Sequence, residues 1–297
     1  MYQSSRPRGD SPVSIIGAGI AGAWQALLFA QAGHAVTLYE RSDAEMTLST
    51  SHWAGGMLAP WCEAETLEPV IGRLGIRSLD LWREHFPKTS FNGSLVVAHA
   101  RDRADFERFA KLTEGHVRLD AQGLSDLEPS LDGRFRDGLF YAGEAHVEPR
   151  KVLPELHARI EAAGGTIKFD SDMNAEDLDG IVIDCRGLSA RDEQPELRGV
   201  KGEMIIVETS EVELSRPVRL IHPRWPLYVI PRGENRMFFN ISDEVGRLLV
   251  MIVPETDQQV DPITYVPSLG REIEKKYGKQ ALEGLQTIGF KFEEPVG

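Results

Sequence analysis

Val13-Ser14-Ile15-Ile16-Gly17-Ala18-Gly19-Ile20-Ala21-Gly22 is the stretch on which the fold turns. Its first four residues have the form of a buried parallel strand, and the G-x-G-x-x-G that follows opens a helix. Gly17 permits a tight turn, Gly19 lets the backbone approach a pyrophosphate, and Gly22 allows close helix–strand packing. The spacing predicts a helix over 20–32 with Gly33 as its C-cap, then a second strand over 35–39 closed by Glu40. Strand, glycine turn, helix and strand make one βαβ unit, whose helix N-terminus offers N–H groups and a positive dipole end to phosphates. Glu40 stands where a carboxylate accepts hydrogen bonds from a ribose diol. A carboxylate there favours an unphosphorylated adenosine ribose, hence FAD or NAD rather than NADP.

Working outward, residues 41–60 are polar and weakly periodic, the mark of a long functional loop. Helices are predicted over 67–85, 102–112 and 149–163, the last with Pro149 in its first turn and Gly164-Gly165 as its stop. Strands are predicted over 93–99, 139–141, 166–169 and 181–184, and the last again runs into a glycine turn at Gly187. From 202 to 239 the pattern turns to β, with strands over 204–208, 218–221, 227–230 and 237–239.

Composition narrows the class. The chain has 297 residues, 41% hydrophobic and 27% charged, a soluble globular balance with room for one or two domains. A net charge of −13 argues against a general nucleic-acid binder, which needs a basic face. Two cysteines make no disulfide framework, and no Cys/His cluster has metal-site spacing, so no metal is expected. The apolar runs are too short to cross a bilayer, and the first twelve residues lack the apolar stretch of a secretory signal. A cytoplasmic enzyme is the expectation.

Five further motifs separate FAD from NAD. Ser51-His52-Trp53-Ala54-Gly55-Gly56-Met57-Leu58-Ala59-Pro60 resembles the flavin-contacting Gly-Gly loop of the D-amino-acid oxidase superfamily of flavoenzymes, most closely the glycine oxidases of thiamine biosynthesis. Val147-Glu148-Pro149 before a helix matches that family's V-x-P, and Asp184-Cys185-Arg186-Gly187 resembles its second strand-to-glycine turn beside the cofactor. Gly199-Val200-Lys201-Gly202-Glu203 and Leu227-Tyr228-Val229-Ile230-Pro231-Arg232 resemble its substrate-domain strands. The resemblance covers about 13–239. It implies an α/β fold with a Rossmann-type FAD-binding domain (1–88 and 145–198) and a mainly antiparallel β substrate domain (89–144 and 199–240). Residues 241–297 are unassigned. The implied cofactor-binding residues are Gly17, Gly19, Gly22, Glu40, Arg41, His52, Gly55, Gly56, Met57 and Gly187. The physical reading agrees at Gly55-Gly56: backbone facing a flat flavin comes close only without side chains.

The implied reaction is FAD-dependent oxidation of glycine or another small amino acid to an imine, with O2 reduced to hydrogen peroxide. The implied partners are a small amino acid and O2, without nucleic acid or membrane, and a homo-oligomer is compatible. An amino-acid carboxylate needs a cationic partner, ideally a bidentate arginine. In the family that arginine lies late in a G-x-R-P setting, and Tyr228 matches an assisting tyrosine. After Asn240 there is no G-x-R-P; Arg271 is not a motif match, and Arg232 is the best substitute, beside the commoner reading of a surface strand arginine. Tyr228 and Arg232 are therefore the catalytic candidates. Basic-residue usage also changes near Asn240: 22 Arg and five Lys precede residue 241, against two Arg and four Lys after it.

Other residues have competing readings. His52 has the spacing of a histidine that carries covalent flavin in dimethylglycine and sarcosine dehydrogenases, whereas the glycine-oxidase relatives hold FAD non-covalently. Cys62 and Cys185 follow cofactor-facing segments, yet a small buried hydrophobe is their default role. Trp61 and Trp225 suit either a pocket wall or packing. Two rival functions remain: a D-amino-acid or secondary-amine dehydrogenase with another electron acceptor, and a catalytically incompetent nucleotide-binding fragment.

Overall fold

The structure is a computed structural model that describes residues 11–63, 69–199, 204–208, 212–222, 227–233, 236–242 and 248–249. Its elements run β1 (Val13–Ile16), α1 (Ile20–Gln31), β2 (Val36–Tyr39), β3 (Met57–Leu58), α2 (Pro69–His85), β4 (Ser94–Ala98), α3 (Arg103–Leu112), β5 (Val117–Asp120) and α4 (Ala121–Leu127). They continue with β6 (Asp137–Tyr141), β7 (Ala145–His146), α5 (Pro149–Ala162), β8 (Thr166–Lys168), β9 (Ile181–Asp184), β10 (Met204–Glu208), β11 (Val218–Ile221), β12 (Leu227–Pro231), β13 (Arg236–Ser242) and β14 (Leu248–Leu249). By their contacts the described residues form two compact units. One holds 11–54 and 148–199, the other 55–147 and the residues from 204 onward.

The first unit is a four-stranded sheet in the order β8-β2-β1-β9, parallel throughout. Numbered within the unit the order is 3-2-1-4, that of half a dinucleotide-binding sheet, whose ligand crevice lies where the order reverses. All four residues of β1 are buried, as a strand covered on both faces requires. Helix α1 buries Gly22, Ala23, Ala26, Leu27 and Ala30, a stripe of mostly small residues at helical spacing. Against it packs α5, which buries Leu153, Leu156, His157 and Ile160.

The second unit carries a mixed sheet in the order β10-β13-β12-β11-β4-β6-β5, with β14 paired to β13. Only β11 and β4 run parallel; the other described pairs are antiparallel. Leu95, Val97, Phe106, Phe109, Leu139, Val218, Leu220 and Val229 form its core. A separate two-stranded ladder joins β3 to β7.

The α/β class and the strands over 181–184, 204–208 and 218–221 match the sequence reading residue for residue. The loop over 41–60 differs at its end, because β7 captures Met57 and Leu58 as a short strand. Neither β5 nor α4 was anticipated. Strand β5 is a single four-residue alternation, Val117-Arg118-Leu119-Asp120, that is mostly exposed and too short to stand out, and α4 is fixed by Asp120, whose Oδ1 accepts from the Gly123 N–H at 2.9 Å. Trp225, Arg271 and most of the segment after 240 lie outside the described residues.

Candidate functional site: a dinucleotide turn and a buried polar cluster

Strand β1 ends at Gly17, whose φ of +97° is open to glycine and strained for other residues. The Gly17 N–H donates to the Tyr39 carbonyl at 2.7 Å, and the Cys185 N–H donates to the Ile16 carbonyl at 2.8 Å. These bonds bring the ends of β1, β2 and β9 together at the reversal of strand order. A Cβ on Gly22 would lie 1.9 Å from the Gly17 carbonyl oxygen, so α1 leaves the strand at a distance that only glycine allows.

The turn is held by side chains from three segments. Glu40, buried at the end of β2, accepts the Ala18 N–H on Oε2 at 2.9 Å and takes the Ser42 N–H and hydroxyl on Oε1 at 3.0 and 2.9 Å. A carboxylate has about four lone-pair sites, so Oε2 retains one for a further donor. His157 of α5 reaches the Ala18 carbonyl with Nε2 at 3.0 Å, necessarily as donor; burial pulls its pKa below the ordinary imidazole value. The Ala18 peptide is therefore pinned at both ends.

Ser51 completes the turn. Its hydroxyl accepts the Ile20 N–H at 3.0 Å, the first donor of α1, and the Ser49 hydroxyl accepts the Ser51 N–H at 3.2 Å. A Cβ on Gly19 would stand 3.2 Å from the Ser51 Oγ and 3.4 Å from the Ser49 Oγ. Two hydroxyls thus flank a bare backbone at a helix N-terminus, a donor set suited to phosphate oxygens. Sequence reasoning left both serines out of the site, although Ser51 stands within the quoted loop motif. Arg41 is exposed. His52 lies edge-on to Trp53, with ring centroids 4.8 Å apart, and Trp53 in turn receives the Arg150 guanidinium 4.6 Å from its ring. Gly187, with φ of +60°, follows an Arg186 clamped to Asp184 and Asp192; that guanidinium holds the Asp184 carboxyl below its usual range.

In the second unit, Gly55-Gly56-Met57 is tied by its backbone. The Val147 N–H donates to the Gly56 carbonyl at 2.8 Å, the Arg232 guanidinium donates to the Gly55 carbonyl, and Met57 pairs in register with His146. Arg232 is thus a partly buried clamp on the glycine loop, not a surface strand arginine.

Tyr228 is buried on β12, directly opposite Arg219 of β11. The Arg219 guanidinium lies 5.4 Å from the Tyr228 ring and 4.7 Å from the Phe109 ring, and it donates to the Cys62 carbonyl. Arg219 was missed, yet a signal existed: an arginine in the otherwise apolar run Val218-Arg219-Leu220-Ile221 has to find a partner when the strand is buried. Beside Cys62, the buried Glu144 accepts the Trp61 N–H at 2.9 Å and the Ser94 hydroxyl. Burial pushes its carboxyl up to about 7, against the pull of those donors and of Arg219. Tyr141, also raised by burial, shares a 2.6 Å hydrogen bond with Thr113. Among the described residues no His, Cys, Asp or Glu cluster could hold a metal ion, and no helix is long and apolar enough to cross a membrane.

The model of the DAO family, FAD dependent oxidoreductase, matches residues 12–282. This chain belongs to that family. The match continues beyond residue 239, where the motif resemblance ends. Relatives of the same kind bracket the chain. The putative thiamine biosynthesis oxidoreductase ThiO of Rhizobium etli is 43% identical over 226 residues, 75% of this chain and 68% of that protein. The D-amino-acid oxidase of Streptomyces coelicolor is 28% identical over 204 residues, 67% of this chain and 60% of that protein. The crystal structure of glycine oxidase from Geobacillus kaustophilus superposes with a TM-score of 0.64 at 20% identity, over 78% of this chain and 71% of that one. That last likeness is one of fold.

Proposed function

We propose that this FAD-dependent oxidoreductase oxidises glycine or another small amino acid to its imine, which water converts to the oxo acid and ammonia, with O2 reduced to hydrogen peroxide. The balance is one amino acid, one O2 and one H2O giving oxo acid, ammonia and H2O2. When bound, FAD would supply the two-electron acceptor for this oxidation. The observation that carries the reading is the pinned Ala18 turn, where the free acceptor site on Glu40 and the hydroxyls of Ser49 and Ser51 suit an adenosine ribose and a diphosphate.

Within this reading Gly17, Gly19 and Gly22 bring backbone to the diphosphate, Gly55 and Gly56 present a bare surface to the flavin, and Met57 stands next to them. Arg41, His52 and Gly187 belong to the same proposed cofactor set, with residues 1–88 and 145–198 as its domain. Tyr228 orients the substrate from the β domain, 89–144 and 199–240. Arg232, donating to the Gly55 carbonyl, acts on the loop at least as much as on a substrate carboxylate. Supply of an imine for thiazole synthesis is proposed from the name of the Rhizobium relative. A reducing, cytoplasmic setting is proposed from two cysteines that form no disulfide.

One experiment tests the whole reading. The purified protein is expected to show a flavin absorption spectrum that bleaches when glycine, sarcosine or D-alanine is added anaerobically. Hydrogen peroxide on admitting air marks an oxidase; bleaching without peroxide marks a dehydrogenase. A flavin spectrum that none of the three amines bleaches would overturn the proposed substrate class.

A further inference from the structure

His146 lies on β7, where it pairs in antiparallel register with Met57 of β3. Directly opposed residues of such a pair have their Cβ atoms about 5 Å apart on one face. His146 and Met57 therefore face the same way, next to the segment whose Gly55 and Gly56 carbonyls are held by Arg232 and Val147.

The imidazole Nδ1 of His146 is buried and has no hydrogen-bond partner. A buried polar atom without a partner costs about 1–3 kcal/mol, so native proteins leave few of them. Asn92 Oδ1, Asp102 Oδ2 and His116 Nδ1 share that property, but none is paired in register with the glycine loop. Nor does His146 act as a cation. Burial, and after it the nearby Arg232, push its pKa down to about 4, so at neutral pH the ring has one donor and one acceptor nitrogen. A neutral ring with an unused nitrogen, on the face of Met57, suits a ligand offering polar atoms on the rim of a flat aromatic system.

We propose that His146 is a cofactor-contacting residue whose Nδ1 hydrogen-bonds the polar edge of a flavin ring lying against Gly55–Met57. The proposal rests on the FAD reading above and adds to it a residue that no sequence motif indicated.

The test is an FAD titration of apoprotein, followed by flavin fluorescence and the visible spectrum, in the native chain and in His146→Phe and His146→Asn. The Phe side chain keeps the ring but removes the nitrogen; the expected result is FAD binding weakened about tenfold, the size of one hydrogen bond, with an altered flavin band shape. His146→Asn, which restores a polar atom, is expected to recover most of both. Native binding together with an unchanged affinity and spectrum in His146→Phe overturns this inference alone. Absence of FAD binding by the native protein overturns the FAD reading and this inference with it. Should His146→Phe not fold, nitrogen NMR of the native protein decides: the His146 Nδ1 resonance has to move on FAD addition, and a stationary one overturns the proposal.

Discussion

The partly buried Gly17–Gly22 turn and the buried polar cluster around Glu144 are held in different ways. At the turn the described polar groups find partners inside the protein at ordinary distances, and the constraint is steric: backbone passes backbone where no side chain fits. In the cluster the constraint is electrostatic. The Glu144 carboxyl sits far above the value of an exposed one, and two residues along, on β7, the His146 imidazole sits far below its own. The difference teaches that a dinucleotide turn is specified by shape, whereas the polar interior of the β unit is specified by charge state and therefore by pH.

The largest expected effect breaks the steric side. Gly22→Ala places a methyl on the Gly17 carbonyl oxygen, so α1 has to move off β1. A loss of about 3 kcal/mol in urea unfolding is expected, at the upper end of overpacking costs, with FAD affinity down at least a hundredfold. Unchanged stability would mean that the turn is not sterically fixed.

Next comes the electrostatic side. Glu144 has a folded pKa of about 7, above its ordinary value of 4.5. Its contribution to stability is therefore full below pH 4.5 and is lost as pH rises through 7, a change of about 3 kcal/mol. His146 runs the other way. Its folded value of about 4 lies below the ordinary 6.5, so its contribution is full above pH 6.5 and is lost as pH falls through 4, again by about 3 kcal/mol. Between pH 4.5 and 6.5 the two slopes offset each other. Glu144→Gln leaves the histidine slope alone: its stability, measured by denaturant titration across pH, should rise steeply over that range and exceed the native value above pH 7. Parallel native and variant curves would show that Glu144 does not titrate as described.

Glu40→Ala probes the turn by its hydrogen bonds. It leaves the Ala18 and Ser42 N–H groups without their carboxylate acceptor, at about 2 kcal/mol in stability. The smallest effect is a control. A Cβ on Gly72 of α2 would meet nothing within 4 Å, so Gly72→Ala is expected to stabilise by about 0.5–1 kcal/mol in the same unfolding assay. A loss at Gly72 as large as that at Gly22 would erase the contrast between them.

The turn was legible in the sequence because its determinants are local. Gly17, Gly19, Gly22 and Glu40 lie within one βαβ unit, and their spacing alone implies the geometry found. Ser49 and Ser51 escaped because a serine in a polar loop carries no signal until the loop folds back onto the helix N-terminus. The polar cluster was illegible for a stronger reason. Trp61, Ser94, Glu144 and Arg219 come from four distant places, and no pattern of period two or 3.6 joins them. Tyr228 was found by motif, but its neighbour Arg219 becomes visible only through the register of β11 on β12. Arg232 shows the reverse: the position was found, and its contact with the Gly55 carbonyl was not foreseen.

The order β8-β2-β1-β9 also bears on how the chain assembles as it is made. Thr37 pairs with Thr166, and Val13 with Ile181, across the intervening residues 55–147 of the other unit. During synthesis β1 and β2 leave the ribosome with both outer edges unpaired, and their partners β8 and β9 arrive only after residues 55–147 of the β unit have been translated. Closing so long an intervening segment is slow, and unpaired strand edges invite association with other chains in the meantime. A nascent chain halted before Thr166 therefore carries its dinucleotide turn on an incomplete sheet.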